Sequence, residues 1–357
     1  MRQRGTGIKS AARASARADK ESSRRIIAQI SPERKPRAAD RTFEFDQTVV
    51  IRDNTSAMRI HPEHTTYGLE AHDDVLAQWN AARVEGGSLE LDLSRVAFVD
   101  PYGICALTLF LNHLPAEALP VCLRLPGFPS AEAANSGPVS YLTRMGFWEE
   151  VHHLLDARPE EIPIRPAQLP DTNLLLDLTI MRSHDAISVM LRKTGEILQN
   201  LGFAITARGH VLEVLSELCS NVLLHAQTEF GGVAAMQTYR GRSGERYLVM
   251  GISDAGIGIR RSLAANMTLA ERLGSDAQAL GVAVQPGASR FATGGHGGGL
   301  PRVLEIARRY SGKVAMRSGA GALAYNGEAN ARRSFETSIL PGTSLRITLP
   351  ESKMRPE

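Results

Sequence analysis

The chain has 357 residues, long enough for about two domains, with 43% apolar and 22% charged residues, an ordinary balance for a globular protein. No apolar run approaches the roughly 18 to 20 residues of a membrane helix; the longest candidate, ICALTLFLNHL, is too short, so no membrane association is expected. The net charge of +3 is uneven, because residues 1–40 hold eleven Lys or Arg against four acids.

Residues 1–42 read as a basic, disordered tail that lacks the apolar core of a secretory signal. Short basic tails are ordinarily solvated, so nucleic acid is not an expected partner. Cys105, Cys122 and Cys219 are odd in number and widely spaced, which suggests neither a disulfide framework nor a metal site and points to a reducing, cytoplasmic setting.

From there to residue 156 strand and helix patterns alternate. TVVIR is extended, HTTYGLEAHDDVLAQWNAAR helical, SLELDLS extended, CALTLFLNHL helical and PVCLRLP extended, and GPVSYLTRMGFWEEVHHLL reads as one amphipathic helix. This alternation predicts an α/β domain over 43–156 with a parallel or mixed sheet. Four prolines between 157 and 171 rule out a helix and mark a linker.

Residues 172–351 form the second expected domain. NLLLDLTIM is extended, and HDAISVMLRKTGEILQNL and ARGHVLEVLSELCSNVLLHAQ are helical. GGVAAMQTYR and RYLVMGISD are strands, followed by a long irregular stretch over 259–293. The glycine cluster GGHGGGLP then precedes a helix from Val303 to Tyr310 and the strands KVAMRS, GALAYN and SLRITLP, with a short tail at 352–357.

Four segments carry residues suited to chemistry. ELCSNVLLHA sets Glu217, Asn221 and His225 one turn apart along the edge of an amphipathic helix. That is either a polar boundary, or a base beside a hard oxygen donor for Mg²⁺. DAGIGI, after an apolar strand, is either a turn or a carboxylate, Asp254, that accepts a hydrogen bond from an exocyclic amine while Gly256 and Gly258 admit a flat ring. The spacing does not fit a dinucleotide-binding fingerprint.

GGHGGGLP is either a linker or a phosphate cradle built from amides at a helix start, where Pro301 fits an early helical position. No GK[ST] follows, which excludes a Walker A loop. GTSLRITLP offers the Thr343 hydroxyl, at a turn or against a phosphate oxygen.

In this order and spacing the four motifs resemble the N, G1, G2 and final boxes of the GHKL ATPase superfamily, and the E-first box looks most like the anti-sigma-factor serine kinases. The resemblance implies a two-layer α/β sandwich, a mixed sheet covered on one face by helices, that binds ATP and Mg²⁺. It further implies that Asn221 binds Mg²⁺, Asp254 bonds the adenine amino group, Gly256 and Gly258 shape the base pocket, and Gly295, Gly297 and Gly299 wrap the phosphates. Thr343 would assist at a phosphate or water, Glu217 would be the general base, and 259–293 would be a mobile lid. Gly298 and Pro301 depart from the family, standing where many relatives have Leu and Ser.

The N-terminal half, through SLELDLSRVAFVDPYGICALTLFLNHL, resembles the STAS domain of anti-anti-sigma factors. Asp100 and Gly103 match the turn motif, but Pro101 and Tyr102 replace its serines, so a serine phosphorylation switch is not expected. Together the two likenesses imply a Mg²⁺-dependent ATPase or serine/threonine kinase in partner-switching signalling. The implied partners are a STAS-domain protein or transcription regulator, and a second copy of the chain. The alternatives are a nucleotide-gated interaction switch with little catalysis and an atypical histidine kinase using His184, which otherwise reads as a helix-start residue.

Overall fold

The computed structural model describes residues 58–81, 89–128, 137–165, 174–225, 230–241, 243–291 and 298–356. The basic tail, TVVIR, most of the proline-rich linker's second half and residues 292–297 lie outside the described residues.

In the N-terminal half, β1 (Met58–Ile60), β3 (Leu89–Asp92) and β5 (Cys122–Arg124) form a parallel sheet in the order β1-β3-β5, and β2 (Thr66–Tyr67) pairs with β4 (Phe98–Val99). Helix α1 spans Leu69–Ala81 and α2 Pro101–Asn112. Asp100 caps α2, accepting from the Gly103 amide at 2.7 Å, and Pro101 sits where a missing N–H costs little. Almost wholly apolar, α2 is buried from Pro101 through Leu111, within a core shared by both halves of the chain.

The expected helix over 137–155 is broken. Gly146, at φ +79°, divides it into α3 (Gly137–Met145) and α4 (Phe147–Val151), and Trp148 Nε1 then donates to Thr143 Oγ1 at 2.9 Å.

The C-terminal half is built on five strands: β6 (Leu174–Met181), β7 (Gly232–Arg240), β8 (Arg246–Asp254), β9 (Lys313–Asn326) and β10 (Ala331–Pro350), in the order β6-β7-β8-β10-β9. The implied mixed sheet is corrected here: every ladder is antiparallel. The connections β7–β8 and β9–β10 are too short for a parallel crossover. KVAMRS and GALAYN, expected as two strands, are one continuous strand, β9.

Helices α5 (His184–Asn200), α6 (Ile205–His225) and α9 (Gly299–Arg309) cover one face of this sheet. Ser183 caps α5, so His184 is its first residue and is exposed. The C-terminal half by itself is two layers, helices on one face of the sheet, and the opposite face of the sheet is covered by α1 and α2 of the N-terminal half. Alternation along the strands divides the residues between the layers. On β7, Ala234 and Met236 join the core beneath α5 and α6, while Val233 and Ala235 join the core of the N-terminal half.

The stretch read as irregular, 259–293, holds two helices and a 3₁₀ segment: α7 (Gly258–Leu263), Met267–Arg272 and α8 (Asp276–Ala283). Short, small-residue helices leave little periodic signal, and this segment is ordered by a core of its own, around Leu263, Leu269, Leu273 and Val282. Its helix α8 is pinned to β9 and β10: the Asp276 carboxylate accepts from the Ala320 amide at 2.8 Å, and the Ala277 amide donates to Glu336 at 2.9 Å.

Candidate functional site

One face of α6 meets the start of α9. Glu213 takes two hydrogen bonds from the Arg302 guanidinium, at 2.6 and 3.1 Å, and the His210 ring lies 2.7 Å from the Tyr310 hydroxyl. One turn further along α6 stands Glu217, exposed, against Gly299: a Cβ at Gly299 would lie 2.7 Å from the Glu217 carboxylate and 3.5 Å from the Asn221 amide nitrogen. Glycine there leaves the helix start close to both side chains, and a larger residue would require the Glu217 carboxylate to move aside. The first backbone bond of α9, from the Arg302 amide to the Gly298 carbonyl, lets Pro301 sit in the first turn without losing a partner.

At the end of β8, Asp254 is 8% exposed and accepts from the Gly256 amide at 2.8 Å. Burial raises its carboxyl to about 6, against hydrogen bonds from the Gly256 and Thr343 amides that favour the ionised form. Thr343 is the register partner of Asp254 across β8 and β10. Ser318 ties the turn together: its hydroxyl accepts from the Ile259 amide at 2.8 Å, donates to the Gly342 carbonyl at 2.8 Å and lies 3.3 Å from the Thr343 hydroxyl. Gly342 has φ +77°, and a Cβ there would lie 2.0 Å from the Asp254 carbonyl oxygen, so no other residue fits.

These pieces enclose one cavity of about 310 Å³. Glu217, Asn221, Asp254, Gly258, Gly299 and Thr343 all line it, together with the apolar Leu218, Val222, Ile252 and Leu263. Gly256 is not in the wall but fixes Asp254 through its amide. Gly295 and Gly297 lie outside the described residues, as does the side chain of His225. His184 does not line the cavity.

Sequence reasoning missed four polar wall residues, Ser220, Ser262, Ser289 and Arg290. Arg290 is the cation among the described lining residues, and it donates to the Leu224 carbonyl at 3.4 Å at the end of α6. Its position follows from the fold of 258–291, where the buried Asn266 amide holds the Ser289 carbonyl at 2.9 Å; no local motif announces it.

The cavity therefore combines an apolar floor, a buried carboxylate at one wall, and a carboxylate, a carboxamide and a helix start at another. Such a mixture suits a flat heterocycle joined to an anionic group. Among the described residues no three His, Cys, Asp or Glu side chains converge as a metal site, and no helix is long and apolar enough to cross a membrane. Tyr102, in the turn that resembles a phosphorylation site, is fully buried. Compared with known proteins, the chain matches no family model, no curated protein and no solved structure.

Proposed function

We propose that this cavity binds ATP with Mg²⁺ and that the chain is a GHKL-type ATPase or serine/threonine kinase acting in partner-switching signalling. The observation that supports the reading is convergence. Residues from four separate motifs, spread between Glu217 and Thr343, share the wall of one cavity large enough for a nucleotide. Asp254 would accept the adenine amino group, and the apolar floor would take the ring. The amides at the start of α9 would face the phosphates, where the helix dipole favours negative charge.

Asn221 and Glu217 are adjacent hard oxygen donors, and Asn221 with the phosphates and water would hold Mg²⁺; a magnesium site needs no larger protein cage. Bound there, the ion would neutralise phosphate charge. Glu217, exposed at the wall, is placed to accept a proton from an attacking hydroxyl or water, and Arg290 to contact a phosphate oxygen. Phosphoryl transfer is largely positioning and charge stabilisation, so these groups suffice in kind.

The experiment compares wild type, Asn221→Ala and Glu217→Ala in Mg·ATP binding and in phosphate release or transfer to a protein. The catalytic reading expects Glu217→Ala to keep binding and lose turnover. Unaltered turnover in that variant, with ATP binding intact, would leave a nucleotide-gated switch in its place.

A further inference from the structure

Buried ion pairs join the two halves along their seam. Asp100, 1% exposed, meets Arg346, 2% exposed, at 3.1 Å, and the fully buried Arg317 pairs with Asp73. Buried pairs give little net stability compared with apolar contacts, yet breaking one is costly, so they fix how two surfaces seat. The Asp100 pair marks a place of direct backbone contact. Arg346 on β10 is the register partner of Gly251 on β8, and a Cβ at Gly251 would lie 2.2 Å from the Pro101 carbonyl oxygen. The first turn of α2 thus rests on the bare strand, with Cys105 Sγ 3.5 Å from the Gly251 carbonyl.

Three residues along the same two strands, about 10 Å away, Asp254 and Thr343 face each other in the wall of the candidate nucleotide cavity. Behind them, on the N-terminal side, the packing opens into a second cavity of about 80 Å³. Trp79, Phe110 and His113 line it from one half, and Asp254, Ala255 and Pro341 from the other. At this size it falls short of the roughly 150 Å³ apolar cavity that takes up benzene, so it offers room for movement more than a ligand pocket. A close backbone contact at Gly251 and free space behind Asp254 therefore lie side by side on the same two strands.

We propose that the N-terminal half is a built-in effector of the nucleotide site. Nucleotide drawing on Asp254 and Thr343 closes the second cavity and tightens the seating of the Asp100 turn, and loss of nucleotide loosens it. The proposal rests on the ATP reading of the first cavity. By linkage the effect is reciprocal, so loosening the seam weakens nucleotide binding by the same factor, typically 5- to 150-fold for coupled sites.

Hydrogen–deuterium exchange on the full chain, with and without a non-hydrolysable Mg·ATP analogue, reads the coupling in one direction. Amides in 69–81 and 99–112 should exchange at least about 5-fold more slowly with the analogue bound. Gly251→Ala, which lies outside the nucleotide cavity, reads it in the other and should weaken the analogue at least about 5-fold. Should that variant not fold, Leu114→Phe, which fills the second cavity from the N-terminal side, carries the same expectation. If the wild type binds the analogue while exchange at the seam is unchanged and the folded variant binds within 2-fold of wild type, the coupling is overturned and the ATP reading stands. If the wild type does not bind it, both fall.

Discussion

Asp254 and Thr343 face each other across β8 and β10, and the Thr343 amide helps to hold the Asp254 carboxylate. Two motifs far apart in the chain therefore become one wall through strand register. Because the sheet is buried on both faces, that wall has little freedom to be anywhere else.

Replacing Asp254 by Asn should separate stability from function. A carboxyl raised from 3.8 to about 6 by burial carries a penalty of up to roughly 3 kcal/mol when ionised at pH 7. Asn keeps an acceptor for the Gly256 amide without the charge, so the empty protein should melt several degrees higher, as read by calorimetry. The same variant should lose most of its ATP affinity in a titration.

The pH dependence follows with a definite sign. The folded carboxyl binds its proton more tightly than the unfolded one, so the stability that Asp254 contributes is full below pH 3.8 and is lost as pH rises through about 6. Nucleotide binding runs the other way, because the ionised form is the acceptor. ATP affinity should weaken as pH falls from 7 through 6, and in Asp254→Asn that step should be absent.

Arg290→Ala should distinguish nucleotides by charge. As the cation of the described wall, Arg290 is expected to favour ATP over ADP, with a charge-assisted hydrogen bond contributing about 1.5 to 3 kcal/mol. Competition titrations should show the preference for ATP falling roughly 10-fold or more, with little change for adenosine.

At the seam, Arg346→Met should destabilise the chain by about 3 to 5 kcal/mol, because it leaves the buried Asp100 carboxyl, whose ionised form burial already disfavours, without its partner. Asp100→Asn combined with Arg346→Met should recover a good part of that loss in denaturant unfolding, a coupling that two independent surface residues would not show.

Much of the site was legible because its motifs are local: a helix edge for Glu217 and Asn221, a strand end for Asp254, a helix start for Gly299. Period and spacing report such positions directly. What joined them was not, because antiparallel pairing of β8 with β10 is a long-range choice. CALTLFLNHL read only as a helix, and nothing local says that β7 and β8 of the other half would cover it. Arg290 was missed for the same reason, since its place depends on the packed segment beneath it. Helix α8 escaped notice because DAQALGVA has neither strong amphipathicity nor length, and its anchors at Ala320 and Glu336 lie far along the chain.

The most direct measurement is calorimetric titration of the full chain with Mg·ATP at pH 7, repeated with Asp254→Asn and Asn221→Ala. The account predicts saturable one-to-one binding by the wild type, most of it lost in Asp254→Asn, and its dependence on magnesium lost in Asn221→Ala. Absence of binding by the wild type, or equal binding by all three folded proteins, would contradict it.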